Sequence, residues 1–190
     1  MTSPFPPASK AALRKVALAA RAALPADLRR EAAARVAGAG PATLARLAPG
    51  AGLVAGYVAL RDEFDPAPLL ATLAAGGFRL ALPRMTAEGL AFHAHELGSP
   101  LEKGAFGVAE PPARAPLVEP EVILAPLVAF DRRGNRLGFG KGFYDRAFAA
   151  HPEAMRIGIA FAVQEVPEVP AEAHDLPLAA ILTEAGLVVP

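Results

Sequence analysis

Six short apolar runs separated by helical patterns constrain this chain more than any other feature. They are GLVAGYVAL (52–60), FRLALP (78–83), GLAFHAHEL (89–97), EVILAP (121–126), RIGIAFA (156–162) and PLAAILTE (177–184). Most are apolar at successive positions, so a strand built from them needs cover on both faces, the habit of parallel sheets. GLAFHAHEL alone alternates, as an antiparallel or edge strand does. Pro126 lacks an amide hydrogen and is expected to end its run rather than sit inside it. The pattern predicts an α/β fold: a mainly parallel sheet covered by helices on both faces, in an open three-layer architecture.

The covering helices are legible too. SKAALRKVALAARAAL (9–24) opens on Ser9, a good N-cap, and repeats apolar residues at Leu13, Val16, Ala17, Ala20 and Leu24. A second helix is expected from Asp27 until GAGP (38–41) interrupts it, with ATLARLA as a shorter continuation beyond Pro41. PAPLLATLAAGG carries proline in its first turn and glycine after its end, the usual polarity of a helix. The Pro- and Gly-rich stretch 98–120 reads as a long excursion. With 190 residues and no internal repeat, residues 1–190 are expected to form one domain.

Composition narrows the chemistry. Nineteen basic residues balance nineteen acidic ones, so no net field recruits nucleic acid or a membrane surface, and any anion site must be local. The absence of cysteine excludes disulfides, thiolate metal sites and a thiol nucleophile, and fits a reducing, cytoplasmic home. No run reaches the roughly 18 to 20 apolar residues of a membrane span, and Pro4, Pro6 and Pro7 break any signal-peptide core. Lys10, Arg14, Lys15 and Arg21, with no acid among the first 26 residues, also match the profile of a transit peptide, although the Ala, Arg and Pro bias runs through the whole chain.

The chemistry concentrates in RLGFGKGFYDR (136–146), where Gly138, Gly140 and Gly142 alternate inside a frame of Arg136, Lys141, Asp145 and Arg146. Glycine admits positive φ and close approach to the main chain, so such a loop can turn successive N–H groups toward one anion. It follows a buried strand and precedes the short helical segment FYDRAFAAH, the place where open α/β sheets bind ligands. It is not a Walker A loop, since Asn135 and Gly142 stand where glycine and Ser or Thr are needed. By itself it reads equally as a glycine-rich turn carrying solvated charges. His93 and His95 share a strand face, but no third ligand lies near them in sequence, so an exposed strand face is expected rather than a metal site.

Taken whole, NRLGFGKGFYDR after an apolar run ending in AFD resembles the signature of the 5-formyltetrahydrofolate cyclo-ligases, also called methenyltetrahydrofolate synthetases. Further stretches follow that family's order: the Lys10-x-x-x-Arg14 pair, YVALRDEFDPAPLL, ALPRM, KGAFGVAEP, IGIAFAVQEVPEVP and HDLPLAAILTE. Lys10 and Arg14 lie about 40° apart around a helix, close enough to serve one phosphate group. Phe106 stands where the family commonly has tryptophan, and Phe143 replaces the usual tyrosine before Tyr144.

The resemblance implies ATP and Mg²⁺ as cofactors and 5-formyltetrahydrofolate as the small-molecule partner. The formyl oxygen is phosphorylated, N10 closes on the activated carbon, and 5,10-methenyltetrahydrofolate, ADP and phosphate result. It implies a nucleotide site of Lys10, Arg14 and the run Arg136, Leu137, Gly138, Phe139, Gly140, Lys141, Gly142, Phe143 and Tyr144. It implies folate contacts from Val58, Glu63, Phe139, Gly140, Lys141, Gly142 and Phe143, and Mg²⁺ ligands in Asp145 and Asp175. Arg136, Lys141 and Tyr144 are the expected catalytic residues, with Tyr144 open to either the nucleotide or the folate side. No protein nucleophile is needed, in keeping with only three serines, Ser3, Ser9 and Ser99, none beside a base. A non-catalytic nucleotide- or folate-binding module and a sugar-phosphate isomerase on a similar sheet are the alternatives, and the expected state is a monomer or weak homo-oligomer.

Overall fold

A computed structural model describes residues 9–172 and 175–190, Phe106 by its backbone alone. Pro4, Pro6 and Pro7 lie outside the described residues. The helices in chain order are α1 (Lys10–Ala22), α2 (Ala26–Leu47), α3 (Ala67–Ala75) and α4 (Phe143–Ala150). The strands are β1 (Leu53–Ala55), β2 (Arg79–Met85), β3 (Leu90–His95), β4 (Glu102–Lys103), β5 (Ala109–Glu110), β6 (Val122–Pro126), β7 (Ala129–Phe130), β8 (Arg136–Leu137), β9 (Met155–Ile159), β10 (Ala180–Thr183) and β11 (Gly186–Val188).

Seven strands form the central sheet in the order β11-β10-β9-β6-β1-β2-β3. The inner five are parallel, while β3 and β11 run antiparallel at the two edges. Alternation along each inner strand splits the core. Val54, Leu80, Val122, Leu124, Ile157 and Ile159 face α2 and α3, whereas Ala55, Ala81, Ile123, Ala125 and Ile181 face α4 and its flanking loops. The three-layer expectation holds, and Pro126 is the last residue of β6.

Two expectations need correction. GLVAGYVAL yields only the three-residue β1, because the chain leaves the sheet at Gly56 and residues 57–60 pass along a cleft instead. Pro41 does not break α2, which runs on for 22 residues with the proline inside. The residue before a proline is normally driven out of the helical region by its own Cβ, and here that residue is Gly40. A Cβ on Gly40 would fall 2.1 Å from Leu69 Cδ1, so α3 packs directly against the backbone at this point. The expected cap of α1 stands: the Ser9 hydroxyl accepts from the Ala12 amide at 3.2 Å. As α3 begins, the Asp65 carboxylate accepts from Ala67 N at 2.9 Å.

No helix among the described residues is long and apolar enough to cross a membrane.

Candidate active site

A cleft of about 470 Å³ opens at the carboxyl ends of β1, β2 and β6. Every residue assigned to a site from the sequence lines it: Lys10 and Arg14 from α1, Val58 and Glu63 from the turn after β1, the run from Arg136 to Asp145, and Asp175. These positions come from four separate parts of the chain, and the sheet topology brings them together.

The turn after β1 is closed tightly. Glu63 N–H donates to Leu60 O and Leu60 N–H donates to Glu63 Oε2, both at 2.9 Å. Arg61, between them, is the only non-glycine with positive φ among the described residues, at 52°. Such strain persists only where surroundings enforce it. Tyr57 is buried and donates its hydroxyl to Phe64 O at 2.8 Å. Glu63 is itself buried, and burial pushes its carboxyl above the ordinary carboxylate range, with the Leu60 amide and Arg21 offsetting only part of the rise.

The glycine loop hangs from the β7–β8 hairpin. The buried Asp131 carboxylate pins that hairpin, accepting from Arg133 N, Asn135 N, the Asn135 side-chain amide and Val169 N at 2.9 to 3.1 Å. Beyond it Gly140 and Gly142 adopt φ of 86° and 65°, Gly142 as the N-cap of α4. Both values belong to the left-handed region that glycine enters at little cost. Arg14 Nε donates to Gly138 O at 2.7 Å and ties α1 to the loop.

Charge in the cleft is arranged in pairs. Arg136, whose side chain is 7% exposed, donates to Asp145 and lies 4.9 Å from the centroid of the Phe148 ring. Burial lowers its pKa despite Asp145, so the guanidinium is poorly solvated. Its Nε is buried with no hydrogen-bond partner among the described residues. Lys10 Nζ meets Asp175 Oδ2 at 2.8 Å and Glu172 Oε1 at 2.9 Å. Burial would lower the Lys10 pKa, but the two carboxylates outweigh it and raise it. Burial and the neighbouring Glu63 push the Tyr144 phenol well above its ordinary range, leaving it a neutral hydrogen-bond donor.

An orphaned guanidinium nitrogen beside a left-handed glycine loop fits an incoming anion such as phosphate. Among the described residues no group of three or more His, Asp or Glu is placed to hold a metal ion. Asp145 is paired with Arg136 and Asp175 with Lys10, so each of these carboxylates meets a cation of the chain itself. His93 and His95 are remote from the cleft. His93 is not on an exposed face, as expected, but buried, its Nδ1 2.7 Å from Ala115 O where 115–118 covers the edge strand.

One cleft residue and one residue behind the cleft were not assigned from the sequence. Glu110, on β5, is 2% exposed, lines the cleft and accepts from Met85 N at 3.2 Å. Arg21, 3% exposed, forms a two-point bond with Asp62 next to Glu63. The spacing of Lys10, Arg14 and Arg21 on one helical face was the available signal for the second. Glu110 carries no local signal.

The model of the 5-formyltetrahydrofolate cyclo-ligase family matches residues 6–184. The 5-formyltetrahydrofolate cyclo-ligase of Mycolicibacterium smegmatis is 35% identical over an alignment of 194 positions that covers 96% of this chain and 97% of that protein. The Haemophilus influenzae protein of the same name is 40% identical over 90 residues, 44% of this chain and about half (48%) of the relative. The solution structure of Aquifex aeolicus 5,10-methenyltetrahydrofolate synthetase superposes with a TM-score of 0.77 at 30% identity, covering 95% of this chain and 92% of the other.

Proposed function

Because this chain belongs to the 5-formyltetrahydrofolate cyclo-ligase family, an enzyme family, we propose that its cleft couples ATP to closure of the formyl folate into 5,10-methenyltetrahydrofolate, with release of ADP and phosphate. The observation that carries this reading is the anion-ready arrangement opposite Glu63: two left-handed glycines and a buried Arg136 Nε with no partner among the described residues. Arg136 and Lys141 stand where negative charge accumulates as the formyl oxygen takes the phosphoryl group. A fixed, buried cation such as Arg136 stabilises such charge without reorganising at the moment of reaction, while Lys141 adds its charge from an exposed position. Lys10 and Arg14 add the outer contacts to the phosphates, and the amides of the glycine loop close around them.

Asp145 and Asp175 would hold Mg²⁺, which would supply neutralisation of phosphate charge. Glu63 and Val58 meet the folate, and Tyr144 stands between the two sites as a neutral donor. No nucleophile from the protein enters, so catalysis rests on holding N10 and the formyl carbon in reach of each other. The enzyme works in the cytoplasm as a monomer or weak homo-oligomer. The sugar-phosphate isomerase alternative draws no support from the family match.

The test is stoichiometry. Methenyl product followed by absorbance, and ADP and phosphate measured separately, should form in equal amounts. ATP consumed without methenyl product, or methenyl product without ADP, would count against the reading.

A further inference from the structure

Helix α1 carries three cations on one stripe, since the eleven residues from Lys10 to Arg21 bring the face round to within about 20°. Lys10 and Arg14 reach residues that line the cleft, Lys10 meeting Asp175 and Glu172 and Arg14 meeting Gly138 O, whereas Arg21 reaches Asp62, behind the lining residue Glu63. Ala17, on the same stripe, is buried in a cluster with Val128, Ala129, Leu137 and Val169, so this face of the helix packs on the β7–β8 hairpin. Lys10 and Arg14 have roles in the nucleotide site, whereas Arg21 has had none. Its Nε and Nη2 reach the two oxygens of Asp62 at 3.2 Å each, and its guanidinium lies 5.8 Å from the centroid of the Phe139 ring in the glycine loop. Asp62 sits inside the turn that the reciprocal Leu60 and Glu63 bonds close, directly before Glu63.

We propose that Arg21 is a positioning residue for the folate end of the cleft: through its two-point bond to Asp62 it fixes the turn that presents Glu63, and it holds that turn against Phe139. The proposal rests on the reading of Glu63 as a folate contact. A planar guanidinium can grip both carboxylate oxygens at once, which a lysine ammonium cannot. Arg21 is therefore a geometric clamp as well as a charge. It also acts on Glu63 electrically. Burial raises the Glu63 pKa, the Leu60 amide and Arg21 oppose the rise, and Asp62 adds to it. Tyr57, in the segment after β1, and Tyr144, from α4, also interact electrostatically with Glu63.

The test breaks the same bond from its two ends. Arg21→Met and Asp62→Asn should each raise KM for 5-formyltetrahydrofolate about tenfold or more while KM for ATP stays within about twofold. The acid limb of kcat/KM for the folate should move to higher pH in Arg21→Met, which removes a cation near Glu63, and to lower pH in Asp62→Asn, which removes an anion. Arg21→Lys keeps the charge without the fork, so KM should rise while the limb stays near its original position. Thermal unfolding of every variant sets the temperature at which kinetics are read, and if Arg21→Met does not fold, Asp62→Asn and Arg21→Lys carry the test.

A clamp with a merely structural role would shift both limbs the same way, or raise both KM values together as Tm falls. Either result overturns the proposal, as does an unchanged folate KM. Glu63→Gln separates the two readings. If it raises the folate KM and the Arg21 and Asp62 variants do not, only the Arg21 proposal falls; if it leaves the folate KM unchanged, the assignment of Glu63 falls and this proposal with it.

Discussion

Replacing Gly140 with alanine puts one methyl group against Arg14 at a left-handed position of the glycine loop. The residue has φ of 86°, and a Cβ there would lie 3.3 Å from Arg14 Nη2 and 3.6 Å from Arg14 Cζ. An L-residue in the left-handed region costs about 1–2 kcal/mol. In a domain of this length each kcal/mol moves Tm by roughly 2–4 °C, so the strain alone predicts a fall of about 2–8 °C. Arg14 cannot yield cheaply, because its Nε is bonded to Gly138 O at 2.7 Å. Displacing it removes a charge-assisted contact worth about 1.5–3 kcal/mol, a loss of roughly tenfold to a hundredfold in nucleotide affinity. Gly140→Val adds branching at Cβ and should abolish activity. The assay is thermal unfolding with and without Mg-ATP, beside methenyl formation, since a ligand stabilises a folded protein in proportion to its occupancy. Gly38→Ala is the control: it lies within α2 with no heavy atom within 4 Å of its Cβ, and should stabilise by about 0.5–1 kcal/mol. If Gly140→Ala or Gly140→Val retains both the full nucleotide-induced rise in Tm and full activity, the loop is not a phosphate cradle.

Lys10→Ala combined with Arg14→Ala should weaken ATP binding by a few kcal/mol, at about 1.5–3 kcal/mol per charge-assisted contact, and leave the protein folded; calorimetric titration with Mg-ATP measures it. Glu63→Gln should impair turnover through the folate while leaving ATP affinity nearly intact. The same variant has a pH signature: because the folded pKa of Glu63 is raised above its ordinary value of 4.5, its favourable contribution is present below that value and lost as pH rises through the folded pKa. Glu63→Gln should therefore be more stable than the parent at neutral pH, with the gain vanishing in acid, as chemical denaturation across pH would show. Pro41→Ala should raise Tm, since an interior proline costs a helix up to about 3 kcal/mol, and a fall in Tm would mean that packing of the ring outweighs the missing bond.

The parallel sheet was legible because buried strands announce themselves as unbroken apolar runs, and the antiparallel edge at GLAFHAHEL because it alternates. The failures share a cause in tertiary contact. Pro41 should end a helix on local grounds, but the glycine before it has no Cβ to clash and packs its bare backbone against Leu69 of α3. Residues 57–60 are as apolar as a strand, yet serve as the wall of a cleft whose other side lies more than seventy residues away. The final strand β11 is too short to show a period, and His93 is covered by a segment that only the folded chain brings beside it. In the cleft, the glycine loop and its charges were readable because their spacing is local. Arg21 and Asp62 are 41 positions apart, and nothing in either neighbourhood marks them as partners.

The most direct measurement is methenyl formation followed by absorbance while ATP, Mg²⁺ and 5-formyltetrahydrofolate are omitted one at a time. An ATP-coupled closure in this cleft predicts that product appears only with all three present, and that restoring the missing component starts the reaction at once. Product forming at an undiminished rate without ATP, or no product with all three present and the protein folded, would contradict the account.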